Sequence, residues 1–169
     1  MEKVTIVING VGGSGKDSLI DMLMGKVKFY NVSTITPVKE IAMHCGWKGE
    51  KTDRARKFLA DLKKLMTDYN DYPTNYALEE QDEFIRSDAS IIFVHIREPE
   101  EIAKFVSLSK TKTYTLLILP RAELQGKVYG NTSDDNVANY PYDFTFANDK
   151  PLDEIEPLWL DFVREKLMK

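Results

Sequence analysis

Cysteine is nearly missing from this chain: Cys45 is the only one, and histidine occurs only at His44 and His95. A lone cysteine excludes an intrachain disulfide and a cysteine-built zinc site, and it suits a reducing cytosol. With the two histidines far apart in sequence, a protein-only transition-metal site has no ligand set. An excess of basic charge is also lacking. The 23 Lys and Arg stand against 27 Asp and Glu, for a net charge of −4. That balance excludes a broad surface for polymeric nucleic acid or acidic membranes and leaves room for a local basic pocket. Long hydrophobic runs are missing too. The apolar run Val4–Ile8 is too short for a signal h-region or a membrane span, so a cytoplasmic protein is expected. Repeats, low-complexity tracts and linkers are missing as well, so residues 1–169 are read as one domain with a sizeable core.

Against these absences stands one dense motif. Directly after Val4–Ile8 comes Gly10-Val11-Gly12-Gly13-Ser14-Gly15-Lys16-Asp17-Ser18. A glycine, four residues and Gly-Lys form the phosphate-binding P-loop pattern, with Asp17 where Ser or Thr is usual. Glycines let the backbone turn with positive φ, so successive N–H groups point inward at phosphate oxygens. A helix starting near Gly15 aims its positive end at the same phosphates. Gly10, Gly12, Gly13, Ser14, Gly15, Lys16, Asp17 and Ser18 are therefore the expected binders of a nucleoside triphosphate. The plain alternative is a glycine-rich turn without a ligand.

The rest of the chain alternates. Val4–Ile8, Lys28–Ser33, Ser90–Ile96, Tyr114–Leu119 and Tyr142–Ala147 read as strands, spaced by helix-like segments. Near-continuous apolar runs such as Ile91-Ile92-Phe93-Val94 suit strands covered on both faces, as in a doubly wound α/β fold. Lys16–Lys26 reads as a helix burying Leu19, Ile20, Leu23 and Met24. Residues 34–88 are too long for a plain crossover and form a helical insertion. In it, Pro37 opens one helix that Gly46 stops. Thr52–Tyr69 forms a second, with Phe58, Leu59, Leu62, Leu65, Met66 and Tyr69 at helical spacing, and Pro73 opens a third. Residues 120–141 are polar and read as a lid-like loop. The last helix follows Pro151 and packs Ile155, Leu158, Trp159, Phe162 and Val163.

This layout resembles the P-loop nucleoside monophosphate kinase group, and most closely the phage-type deoxynucleoside monophosphate kinases. Four stretches carry the resemblance: Gly13-Ser14-Gly15-Lys16-Asp17-Ser18; Thr36-Pro37-Val38-Lys39-Glu40-Ile41-Ala42 with Gly46-Trp47-Lys48-Gly49; Thr52-Asp53-Arg54-Ala55-Arg56-Lys57-Phe58-Leu59; and Tyr142 to Asp149 with Pro151-Leu152-Asp153-Glu154-Ile155. It implies a three-layer P-loop NTPase fold with a five-stranded parallel sheet, an acceptor-binding insertion and a lid. It implies ATP and Mg²⁺ as cofactors and a small phosphorylated acceptor; an acidic domain of this size is left open as a monomer or homodimer. Two stretches depart from the family. Where it has an aspartate two residues before an arginine at the end of the third strand, this chain has His95-Ile96-Arg97. Its lid offers only Arg121 and Lys127 where the family's is rich in arginine.

Phosphoryl transfer between two phosphates asks for positioning and charge, with no nucleophilic side chain. Lys16 is expected to bridge the phosphates, Arg97 to contact phosphate or acceptor, and Arg121 to close over the donor phosphates; these three are the candidate catalytic residues. Asp17 is read two ways, as a handler of Mg²⁺ or as a helix-start carboxylate worth about 0.3–1 kcal/mol against the macrodipole. Ser18 is either a ligand to phosphate or metal-bound water, or a plain helix-face serine. Lys39, Arg54, Arg56 and Arg97 are the candidates to hold the acceptor. Arg54 and Arg56 lie two apart on one helix, so only one of them is expected to reach the site. His95 is read as a hydrogen-bonded strand residue or a neighbour of the ligand, and Glu98 similarly. The leading expectation is ATP-dependent phosphoryl transfer to a nucleoside or deoxynucleoside monophosphate. A kinase for another small acceptor such as dephospho-coenzyme A, and a nucleotide-binding protein without transfer activity, both stay open.

Overall fold

The computed structural model describes residues 2–122 and 136–169. In chain order it runs β1 (Val4–Asn9), α1 (Lys16–Asp21), β2 (Phe29–Ser33), α2 (Thr36–His44), α3 (Asp53–Asn70), α4 (Tyr72–Arg86), β3 (Ile91–His95), α5 (Pro99–Leu108), β4 (Lys112–Leu119), β5 (Phe144–Ala147) and α6 (Leu152–Phe162). The strands form one parallel sheet in the order β2-β3-β1-β4-β5. Helices cover both faces, giving the three-layer α/β fold expected from the alternation.

The central strand shows why. All six residues of β1 are buried, as a parallel strand covered on both sides requires. Ile6 and Ile8 point to one face and Val7 to the other, because side chains alternate along a strand. The first face packs Ile6, Ile8, Leu19, Ile20, Leu23 and Trp159 between the sheet and helices α1 and α6. The second packs Val7, Ala77, Phe84, Ile92, Ile102 and Phe105 under α4 and α5. Each such fully buried aliphatic contributes about 1.5–3 kcal/mol.

The helices differ from their sequence-level outlines in instructive places. Helix α1 stops at Asp21 and gives way to turns. Leu23 is still buried beyond it, but Met24 is 68% exposed. Helix α3 is capped by Thr52, whose hydroxyl accepts from Ala55 N–H at 3.2 Å. It ends at Asp71, which adopts φ 56°, and Pro73 then opens α4. Within the span 34–88, α4 lies on the sheet and buries Ala77 and Phe84, whereas α3 has no buried residue at all. Its apolar stripe is largely open, with Phe58 37%, Leu65 68% and Tyr69 86% exposed. In α6, Leu158 is exposed while Ile155 and Trp159 are buried. Among the described residues, no helix is long and apolar enough to cross a membrane.

The sheet order locates the ligand-binding edge. Strand β1 leads through α1 to β2 on one side, and β3 leads through α5 to β4 on the other. The crevice opens between the carboxyl ends of β1 and β3, where the connections diverge.

Candidate nucleotide site

The Gly10–Ser18 loop leaves β1 at that crevice. Gly13 and Gly15 adopt φ 83° and 80°, a region an L side chain enters only at about 1–2 kcal/mol. Gly15 caps α1 from this left-handed conformation. A Cβ at Gly15 would run into the Asn148 amide, and one at Gly10 would lie 2.6 Å from Ser14 Oγ. The loop is thus built of backbone packed too closely for side chains.

Two asparagines fasten it. Asn9, fully buried at the end of β1, accepts from Gly10 N–H at 2.9 Å. Its amide donates to the carbonyl of Arg97 at 3.0 Å and to Tyr142 Oη at 2.9 Å. Tyr142 in turn donates to the Val137 carbonyl at 2.6 Å, and burial pushes its phenol up to about 12. On the other flank Asn148 donates to the Ser14 carbonyl at 2.8 Å, while its own N–H is held by Leu119 at 2.9 Å. Asn9 therefore joins the start of the phosphate loop to the backbone that carries Arg97.

Ser14 is 2% exposed and its Oγ has no hydrogen-bond partner. A buried hydroxyl left unpaired carries a desolvation cost of about 1–3 kcal/mol; a phosphate oxygen would offset it. Lys16 is half-buried, and Asp17 and Ser18 are exposed at the first turn of α1. His95 closes the other wall. Its Nε2 lies 2.7 Å from Asn31 Oδ1, which leaves Nδ1 as a lone-pair acceptor. Burial pushes the imidazole down to about 4, helped by Lys16 and Arg97 and opposed by Asp17. His95 is neutral at pH 7, and Lys16, Asp17 and Arg97 all exert their charge on this one spot.

The other sequence candidates fall less centrally. Arg121 is exposed two residues past β4. Lys127 lies outside the described residues. Lys39 on α2 and Arg54 and Arg56 on the first turn of α3 are all exposed. Glu98 caps α5 and pairs with Lys63, which lies 2.9 Å from Glu98 and 2.7 Å from Glu101. Cys45 is free and exposed. Beyond the position of Asn9 immediately before the loop, and the presence of Tyr142 and Asn148 in a stretch that carries the resemblance, the sequence offered no sign of Asn9, Asn148, Tyr142 or Lys63 as partners of the site.

The donor set fits a hydrated divalent cation bound with phosphates. Among the described residues, no three His, Cys, Asp or Glu side chains converge to hold a metal. Asp17 and Ser18 offer oxygen ligands only, so the rest of a Mg²⁺ shell would come from phosphate and water, as that ion prefers.

No family model and no curated protein matches the chain. Among solved structures it is similar to a protein from Chloroflexus aurantiacus designated a kinase. The match covers 99% of this chain and 97% of that one, at 13% identity and a TM-score of 0.59. It is also similar to TT1252 from Thermus thermophilus, over 98% of this chain and 99% of that one, at 16% identity and a TM-score of 0.55. At such identities the likeness is one of fold alone, an α/β architecture matched over nearly the whole of both chains.

Proposed function

We propose that this protein transfers the terminal phosphoryl group of Mg·ATP to a nucleoside or deoxynucleoside monophosphate. One observation carries the reading. Left-handed Gly13 and Gly15, the unpartnered Ser14 hydroxyl and Lys16 lie on one loop, and Asn9 bonds the start of that loop to the Arg97 backbone. The overlap of its fold with a protein designated a kinase supports the same class.

Each residue then has a task. The loop N–H groups and the α1 dipole hold the donor phosphates. Lys16 follows the charge that develops on the transferring group, and Arg97 draws the acceptor phosphate toward it from the adjacent strand end. Asp17 and Ser18 would hold Mg²⁺ through oxygen ligands or its waters, and the ion would supply charge neutralisation to the donor phosphates. His95, uncharged, orients through Asn31 and takes no proton, because an acceptor phosphate oxygen needs no base. Arg121, at the entry to residues 120–141, covers the donor side.

The reading is tested by ADP formation from Mg·ATP with each ribo- and deoxyribonucleoside monophosphate, with Lys16→Ala as the blank. Acceptor-dependent turnover lost in the variant supports it. Tight ATP binding without turnover on any monophosphate sinks it. One feature favours a second reading, nucleotide binding without transfer: His95 stands at the strand end where the resembled family carries an aspartate. His95→Asp separates the two: turnover absent in the parent and gained in the variant supports binding without transfer, and turnover already present in the parent sinks it.

A further inference from the structure

Helix α3 has no buried residue, yet one of its side chains is sunk deeply. Lys63 is 13% exposed, and its ammonium lies 2.7 Å from Glu101, 10% exposed, and 2.9 Å from Glu98. Both carboxylates belong to the start of α5: Glu98 caps it and Glu101 lies in its first turn. Glu98 directly follows Arg97. The second oxygen of Glu101 is buried without a partner, so Lys63 is what compensates that carboxylate. We infer that Lys63 is a positioning residue that docks α3 onto the Arg97 corner and thereby presents Arg56, rather than Arg54, to the acceptor phosphate. The inference rests on the monophosphate-acceptor reading above.

Two anchors set the direction of α3. Lys63 meets the first turn of α5, and Asp71, just past the end of α3, meets Lys104 farther along α5 at 2.5 Å. The two pairs order α3 and α5 in the same sense, while the body of α3 packs on α2 and α4. Its N-terminal residues project past the start of α5, beyond the edge of the sheet from which the phosphate loop emerges. At 1.5 Å per residue, Arg56 stands about 10 Å beyond Lys63 in that direction. Seven residues at 100° each return to within about 20° of the same face, so Arg56 shares the side on which Lys63 meets α5. Nine residues place Arg54 on the opposite side, about 180° away. The geometry thus separates two arginines that are equivalent in sequence.

The test compares Lys63→Met, Glu98→Gln and Lys63→Arg, each alone and combined with Arg56→Gln or Arg54→Gln. Expected for Lys63→Met is an acceptor KM raised about tenfold, with the ATP KM within about twofold and the larger change in KM over kcat. Lys63→Arg recovers most of it. Arg56→Gln raises the acceptor KM in the parent and adds little on top of Lys63→Met, whereas Arg54→Gln changes it by less than about twofold in either background. Glu98→Gln, at a half-buried position, gives the same pattern more weakly and keeps the question open to measurement even where Lys63→Met does not fold. Equal changes in both KM values, or an Arg54 effect larger than that of Arg56, overturn the inference. Hydrogen exchange separates this failure from that of the functional reading. Without any acceptor turnover, amides of α3 still exchange faster in Lys63→Met while those of β1 and α1 do not; unchanged exchange in α3 refutes the docking role.

Discussion

The two sides of the crevice are held in opposite ways. The phosphate loop is stapled by neutral, buried hydrogen bonds: Asn9 to Gly10, Arg97 and Tyr142, and Asn148 to Ser14. The α3 arm lies outside the core, packs on α2 and α4, and is tied to α5 by charge, through Lys63 and through Asp71 to Lys104. Neutral amide networks are rigid and indifferent to salt and mild pH change. A buried ion cluster is strong only while every member is present. The difference is between a fixed half that carries the glycine loop and a half that is docked onto it by a few charges.

The sharpest break in that comparison is at Lys16. Lys16→Ala removes a half-buried cation without touching either staple, so folding is kept while transfer falls by about 10³-fold, some 4 kcal/mol of transition-state stabilisation. Single-turnover ADP formation beside a thermal melt measures both. A large loss of stability with no specific loss of rate would place Lys16 in the scaffold instead.

On the docked side, Lys63→Met leaves Glu101 buried without its cation. The cost expected is about 3 kcal/mol, the range for breaking one partner of a buried pair. Burial pulls the Lys63 ammonium down, but Glu101 and Glu98 outweigh it and hold it above its ordinary value. Burial raises the Glu101 carboxyl against the pull of Lys63. The same helix carries its own control. Lys57 pairs with Asp61 on the open surface, and Lys57→Ala is expected to cost no more than about 0.5 kcal/mol. Urea melts of the two variants read the contrast, and similar losses would erase it.

How much of this was legible depends on sequence distance. The phosphate loop was readable because its parts are adjacent: strand, glycines, lysine and helix follow in order. The doubly wound fold was readable from the two-faced apolar runs of β1, β3 and β4. The pairings that hold the site were not. Asn148 meets Ser14 across 134 positions, Asn9 meets Tyr142 across 133, and Lys63 sits in Leu62-Lys63-Lys64, where it looks like one more solvated lysine. Periodicity found α3 without fixing its burial, because an apolar stripe records amphipathicity without saying whether a neighbour covers it. Met24 failed for a related reason: α1 ends at Asp21, so the helical phase no longer applies to it.

A glycine substitution sharpens the fixed half. Gly15→Ala must hold φ 80° and push its methyl against Asn148, whose amide is tied to the Ser14 carbonyl. A penalty of about 2 kcal/mol is expected from the backbone and the displaced amide together. ATP affinity should fall with it, read by calorimetric titration beside a melt. An unaltered affinity would mean that the loop geometry is not what receives the phosphates.

His95 sets a pH signature on the facing wall. Its imidazole titrates near 6.5 in the unfolded chain and about 4 in the folded one. Between those values the unfolded chain binds a proton that the folded chain refuses, so stability falls as pH drops through that window. The slope approaches about 1.4 kcal/mol per pH unit. Below pH 4 both states are protonated and the His95 contribution to the slope ends. Urea melts from pH 4 to pH 7 should show a shallower slope for His95→Gln than for the parent. Identical slopes would mean that the imidazole is solvated in the folded chain.

The smallest change tests whether the staple is graded. Tyr142→Phe removes the hydroxyl that accepts from Asn9 and donates to Val137, while Asn9 keeps its bonds to Gly10 and Arg97. One amide hydrogen and one carbonyl lose a partner, for a cost of about 1 kcal/mol. Because the loop-side bond survives, ATP affinity should stay within about twofold, a change below 0.5 kcal/mol. Asn9→Ala, which cuts all three bonds at once, should cost more in stability and also weaken ATP binding. If Tyr142→Phe loosens nucleotide as much as Asn9→Ala does, the phenol holds the phosphate loop itself. The neutral half would then be a single cooperative unit, as dependent on each member as the charged half is on Lys63.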